Sequence, residues 1–69
     1  MDLSARNQFP GTVKAVKLGN IMAEVVVDIG GGHEIVAAIT RASAERLGLA
    51  QGNPVVVAIK ATEVLVAKD

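Results

Sequence analysis

Ser4-Ala5-Arg6-Asn7-Gln8 gathers a hydroxyl, a guanidinium and two amides into five residues of a 69-residue chain otherwise rich in Val, Ile, Ala and Gly. Such a cluster of donors suits an acceptor-rich ligand. Lys60-Ala61-Thr62 repeats the theme near the other end, and Thr40 and Ser43 stand one helical turn apart in between. If these groups converge, two cations and several hydroxyls suit a tetrahedral dianion. Arginine offers a planar fork, lysine a point charge, and hydroxyls and backbone N–H groups fill the remaining acceptor directions. Each group also has an ordinary use. Thr40 and Ser43 can cap a helix with nothing bound. Arg6 and Lys60 can simply be solvated, as most such side chains are.

The other polar residues carry less chemistry. Gly30-Gly31-Gly32 lacks a following Lys-Ser/Thr and joins two predicted strands, so it reads as a turn and not a phosphate loop. His33 is the single histidine and there is no cysteine, so no direct metal-ligand set can be picked out. Glu24, Asp28, Glu34, Glu45 and Glu63 are scattered and read as surface charges. No nucleophile–base pairing stands out, and the chain is expected not to be an enzyme.

Composition narrows the classes further. Seven basic and seven acidic residues cancel, so any anion site must be local. With no basic bias and one aromatic, Phe9, a nucleic-acid-binding role is disfavoured. No apolar run is long enough to span a membrane, and no signal peptide is recognisable. A cytoplasmic protein with a single domain over residues 1–69 is expected. Yet 51% of residues are hydrophobic, more than one small core can hide, which points to burial between copies.

The elements that must position these groups follow from patterning. Pro10-Gly11 reads as a turn, and Thr12 to Leu18 as a strand whose alternation slips between Lys14 and Lys17, as at a bulge. Gly19-Asn20 is a hairpin signal. Ile21 to Ile29 is a strand with Ile21, Ala23, Val25, Val27 and Ile29 on one face. Gly30 to His33 turns the chain into a third strand, Glu34 to Ile39. Both strands are apolar on both faces, which calls for cover on both sides. Thr40 to Leu47 is the one helix, with Thr40 as N-cap and Gly48 in the left-handed position that ends it. Val55 to Lys60 is a fourth strand and Glu63 to Ala67 a short fifth. The expected fold is all-β, a five-stranded OB-like barrel with one short helix between strands 3 and 4.

Taken together, Ser4-Ala5-Arg6-Asn7-Gln8 with Gly11, Ala23-Glu24-Val25, Ile39-Thr40-Arg41-Ala42-Ser43, Leu47-Gly48-Leu49 and Ile59-Lys60-Ala61-Thr62-Glu63-Val64 resemble the molbindin (Mop) family of small molybdate- and tungstate-binding proteins. The likeness runs over essentially the whole chain, and the order and spacing of the motifs carry it. It implies a free-standing molbindin that stores or buffers molybdate or tungstate without chemical turnover and without an organic cofactor. It also implies a homo-oligomer, a hexamer built as a trimer of dimers, with oxyanions at subunit interfaces. On matching positions, Ser4, Ala5, Arg6, Lys60 and Ala61 line the site, Asn7 and Thr62 assist, and Thr40 and Ser43 come from the partner chain. A second type of site on a symmetry axis is assigned to the Gly19-Asn20 turn. Pro10 departs from the basic or polar residue expected before Gly11. Two other readings compete: a structural oligomerisation module indifferent to oxyanions, and an OB-type nucleic-acid-binding domain.

Overall fold

The computed structural model describes residues 2–69. Four strands form one antiparallel sheet in the order β3-β2-β1-β4. They are β1 (Asn7–Leu18), β2 (Met22–Gly30), β3 (His33–Thr40) and β4 (Pro54–Ile59), with one helix, α1 (Arg41–Leu47), between β3 and β4. Val13, Val25 and Val27 form the buried centre, with Val16, Ile29, Ala37, Ile39, Leu49, Val55 and Val57 packed around them. Fully burying each such valine contributes about 1.5–3 kcal/mol.

The first strand is longer than its pattern suggested, because it serves two neighbours in turn. Asn7 to Thr12 pairs with β4, and Thr12 to Leu18 pairs with β2. Pro10-Gly11 is therefore no turn. Pro10 lies opposite Val56, where β1 is paired on one side only, the kind of edge position to which a strand confines a residue without an N–H. Gly11 sits where the strand crosses from one partner to the other. A Cβ there would meet the Asp28 carbonyl oxygen at 2.6 Å and Val27 Cγ1 at 2.7 Å. The bulge falls between Val13 and Ala15. At this break the Val13 N–H donates to the Asn53 carbonyl (2.9 Å) and the Val13 carbonyl accepts from Gly52 N–H (2.8 Å). The turn before β4 is thus docked onto the bulge.

Between β2 and β3, Gly31 and Gly32 have φ of 64° and 79°, the double positive φ of a type I′ hairpin turn. The predicted inward face of β2 holds for Ala23, Val25 and Val27, whereas Ile21 precedes the strand and is exposed. The helix is capped as its residues require. The Thr40 hydroxyl accepts from Ser43 N–H at 3.1 Å. At the other end Gly48 is left-handed, with its N–H on the Glu45 carbonyl and that of Leu49 on the Ala44 carbonyl. Removing the cap in Thr40→Ala is expected to cost about 1 kcal/mol. Denaturant unfolding would read this, and an unchanged midpoint would contradict the cap's role.

The fifth strand is the main departure. Ala61–Glu63 forms a 3₁₀ turn, with Glu63 N–H on the Lys60 carbonyl, and residues 64–69 belong to no strand. A strand forms only where another strand's edge can pair with it. Beyond Ile59 the chain runs past the end of the sheet, so the expected barrel is an open four-stranded sheet. The radius of gyration is 12.7 Å, against about 11 Å for a compact domain of this length.

Candidate oxyanion site

The last rung of the β1–β4 ladder pairs Asn7 with Ile59. Arg6 precedes the first and Lys60 follows the second, so antiparallel pairing carries both cations to the same end of the sheet. There Ser4, Ala5, Arg6, Lys60, Ala61 and Thr62 line one hollow of about 460 Å³. These are the two motifs singled out in the sequence, brought together across the fold. Lys60 is extended (φ −60°, ψ 133°) just before the 3₁₀ turn, which places Ala61 and Thr62 on the rim.

The electrostatics of the hollow are simple. The ion pairs among the described residues are Lys14–Glu34 and Arg41–Glu45, both away from it. Arg6 and Lys60 therefore face the hollow with no carboxylate bonded to them among the described residues. Two exposed cations and two hydroxyls share this hollow with the small side chains of Ala5 and Ala61, a donor set whose chemistry suits a multiply charged oxyanion. The perturbed titration is at Lys14, whose ammonium is raised above its ordinary pKa by the hydrogen bond and charge of Glu34. A raised lysine stabilises the fold below its ordinary pKa and loses that effect as pH climbs through the raised value. The pair is therefore constant across the neutral range.

Two expectations change in detail. Asn7 does not line the hollow: its amide Nδ2 donates to the Ile59 carbonyl at 3.2 Å, so one of its two N–H groups serves the scaffold. Thr40 and Ser43, which the resemblance assigns to the partner chain, are not among the residues that line their own chain's hollow. Thr40 Oγ1 donates to Ser43 Oγ at 2.8 Å, which leaves the Ser43 hydroxyl proton free to point elsewhere. At the Gly19-Asn20 turn, Gly19 lines a separate hollow with Lys17, Leu18 and Met22, but Asn20 does not. The Gly19 carbonyl accepts from Arg41 Nη1 at 3.2 Å, and Arg41 N–H donates to the Ile21 carbonyl at 2.7 Å. Arg41 thus ties this turn to the helix start, a role sequence reading missed. Its only sequence signal is a cation in the first helical turn, where the helix dipole disfavours one unless it has another partner.

A small all-β module with an OB-like sheet and a cationic hollow at one end is the class this geometry defines. The TOBE domain model matches residues 3–66. Molybdenum-pterin-binding protein 3 of Clostridium pasteurianum is 44% identical over 66 residues, covering 96% of this chain and 97% of the relative. Among solved structures, a molybdate-binding protein from Sporomusa ovata superposes with a TM-score of 0.91 at 44% identity, covering 99% of this chain and 100% of that one. MopII from Clostridium pasteurianum, in an apo form, gives a TM-score of 0.91 at 39% identity, with 97% and 100% coverage. The chain belongs to the TOBE domain family, and within it to the molbindins, the molybdenum-pterin-binding (Mop) proteins.

Proposed function

We propose that this protein binds molybdate, or tungstate, as an intact dianion in the hollow between Ser4–Arg6 and Lys60–Thr62, and that it stores or buffers the anion without turning it over. The observation that carries this reading is the placement of Arg6 and Lys60, remote in sequence, on one hollow with Ser4 and Thr62. The molybdate-binding relatives named above give the anion its identity. A pterin would need a flat surface to stack on, and none of the six lining residues supplies a ring. The hollow accordingly favours the oxyanion over the organic part of a molybdenum cofactor.

One chain does not complete the cage. A hollow of about 460 Å³ is far larger than a single tetrahedral anion, given that a water molecule takes roughly 30 Å³. Closing it falls to a second copy, with the Ser43 hydroxyl at the helix start as its donor and Thr40 orienting that hydroxyl. The same copy meets another need. Val64, Leu65 and Val66 project from the sheet, the last two 95% and 92% exposed. Beside the core, a groove of about 240 Å³ runs between β3 and β4, lined by residues such as Ile39, Leu49, Val55 and Val57. Both strands present an unpaired edge. The tail of one copy, about 20 Å long when extended, fits this groove in the other as the missing fifth strand. Because Lys60–Thr62 immediately precedes the tail, this exchange sets the hollow at the dimer interface. Further pairing of such dimers, through exposed residues such as Ile21 and Val36, leads to the hexamer the family resemblance implies. No helix among the described residues is long and apolar enough to cross a membrane, and the cytoplasm is the proposed location.

Sulfate has the same charge but is smaller, so a rigid cage would leave it with stretched contacts. Isothermal titration in phosphate-free buffer tests the reading. Saturable molybdate binding that persists in excess sulfate is expected, and no heat at any molybdate concentration would sink it. The assembly is tested separately. Leu65→Asp places a charge in the exchanged strand and is expected to shift the protein to monomer in sedimentation equilibrium, while an unchanged oligomer would contradict the exchange.

A further inference from the structure

Asn7 and Gln8 belong to the donor-rich stretch, yet neither lines the hollow. Their side chains do something else. Asn7 Nδ2 donates to the Ile59 carbonyl at 3.2 Å, joining positions 52 apart in the chain. Gln8 Nε2 reaches back over two residues to the Ala5 carbonyl at 2.7 Å. The first bond fastens the end of β1 to the end of β4, immediately beside Arg6 and Lys60. The second holds the Ser4–Arg6 arm, and it is the one side-chain hydrogen bond to that arm among the described residues. The β1–β4 ladder stops at Asn7, so the arm has no strand pairing to fix it.

We infer that Asn7 and Gln8 are positioning residues for the oxyanion site: two amide straps that set the separation of Arg6 from Lys60 and the course of the arm between them. The inference rests on the oxyanion reading above and adds a source for its selectivity. Molybdate and sulfate share charge and shape and differ in size, so a cage separates them only if its walls hold their spacing to about 0.5 Å. A loosened arm could close in on the smaller anion.

Gln8 is exposed and its strap is local, so Gln8→Met removes the bond at nearly constant size and charge with little effect on folding. Supporting groups around a bound ion are typically worth 10–100-fold in affinity. Molybdate affinity in Gln8→Met is expected to fall about tenfold, and sulfate affinity by less, so that the molybdate-to-sulfate ratio drops while the melting temperature and oligomeric state stay at wild-type values. Asn7→Ala should lower the same ratio, with some loss of stability because Asn7 is half-buried. Gln8→Lys restores a donor on a stem of similar reach. Its charge favours both dianions alike, so the ratio should recover. A ratio unchanged in Gln8→Met, whether both affinities stay put or fall together, would overturn the inference and leave the oxyanion reading intact. A wild-type protein that binds no molybdate would remove that reading and this inference with it.

Discussion

Arg6→Ala is expected to weaken molybdate binding by about 100-fold or more while the protein stays folded and assembled. Cutting one partner from a desolvated, charge-assisted contact costs 2–5 kcal/mol or more, and every 1.4 kcal/mol is tenfold in affinity. Arg6 is exposed and makes no ion pair among the described residues, so the fold loses little with it. Lys60→Ala should act in the same direction. Arg6→Lys should recover only part of the loss, because an ammonium lacks the planar two-pronged fork. Titration calorimetry reads all three. Wild-type affinity in Arg6→Ala would mean that the hollow is not the binding site.

Gly11→Ala is expected to cost about 3 kcal/mol of stability, at the upper end of the usual price of overpacking a tight site. The added methyl would sit 2.6 Å from a backbone oxygen, Asp28 O, which cannot swing aside as a side chain can. A domain of this length has roughly 3.5–10 kcal/mol in all, so the variant should lose between about a third and nearly all of its stability. Chemical denaturation measures it directly. A midpoint within error of wild type would show that β1 can shift off β2 without penalty, which the crossing geometry denies.

How much of this was visible in the sequence depended on whether the cause was local. The helix was legible because its signals lie within it: Thr40 to start, Gly48 to stop and Leu49 to fold back. The bulge was legible because alternation breaks between Lys14 and Lys17, and the three-glycine turn because only positive φ explains it. Pro10-Gly11 misled because turn chemistry and strand crossing use the same two residues for different reasons. Proline tolerates a strand with one free edge, and glycine permits close approach, but the neighbours that decide between turn and crossing are Val56 and Asp28, both far along the chain. Glu63 to Ala67 reads as a strand by composition, yet Glu63 closes a 3₁₀ turn and residues 64–67 pair with no strand, because a strand is defined by its partner.

The site divides in the same way. Ser4, Arg6, Lys60 and Thr62 could be singled out by residue type, and the antiparallel pairing of β1 with β4 supplies their convergence. The role of Asn7 was not legible. An amide beside an arginine looks like a ligand, and nothing in its neighbours in sequence shows the Ile59 carbonyl that lies 3.2 Å from it. Thr40 and Ser43 bond to each other in a single chain with the Ser43 hydroxyl proton left over, and their part in the proposed cage depends on a second copy.

The most direct test is diffraction from crystals of the protein grown with molybdate, using the anomalous signal of molybdenum to locate the anion. The account predicts a molybdenum peak in the hollow, with its oxygens within hydrogen-bond distance of Arg6 and Lys60 in one chain and of Ser43 in a second. Molybdenum found only elsewhere, or a hollow that stays empty while the protein in solution is saturated, would contradict it.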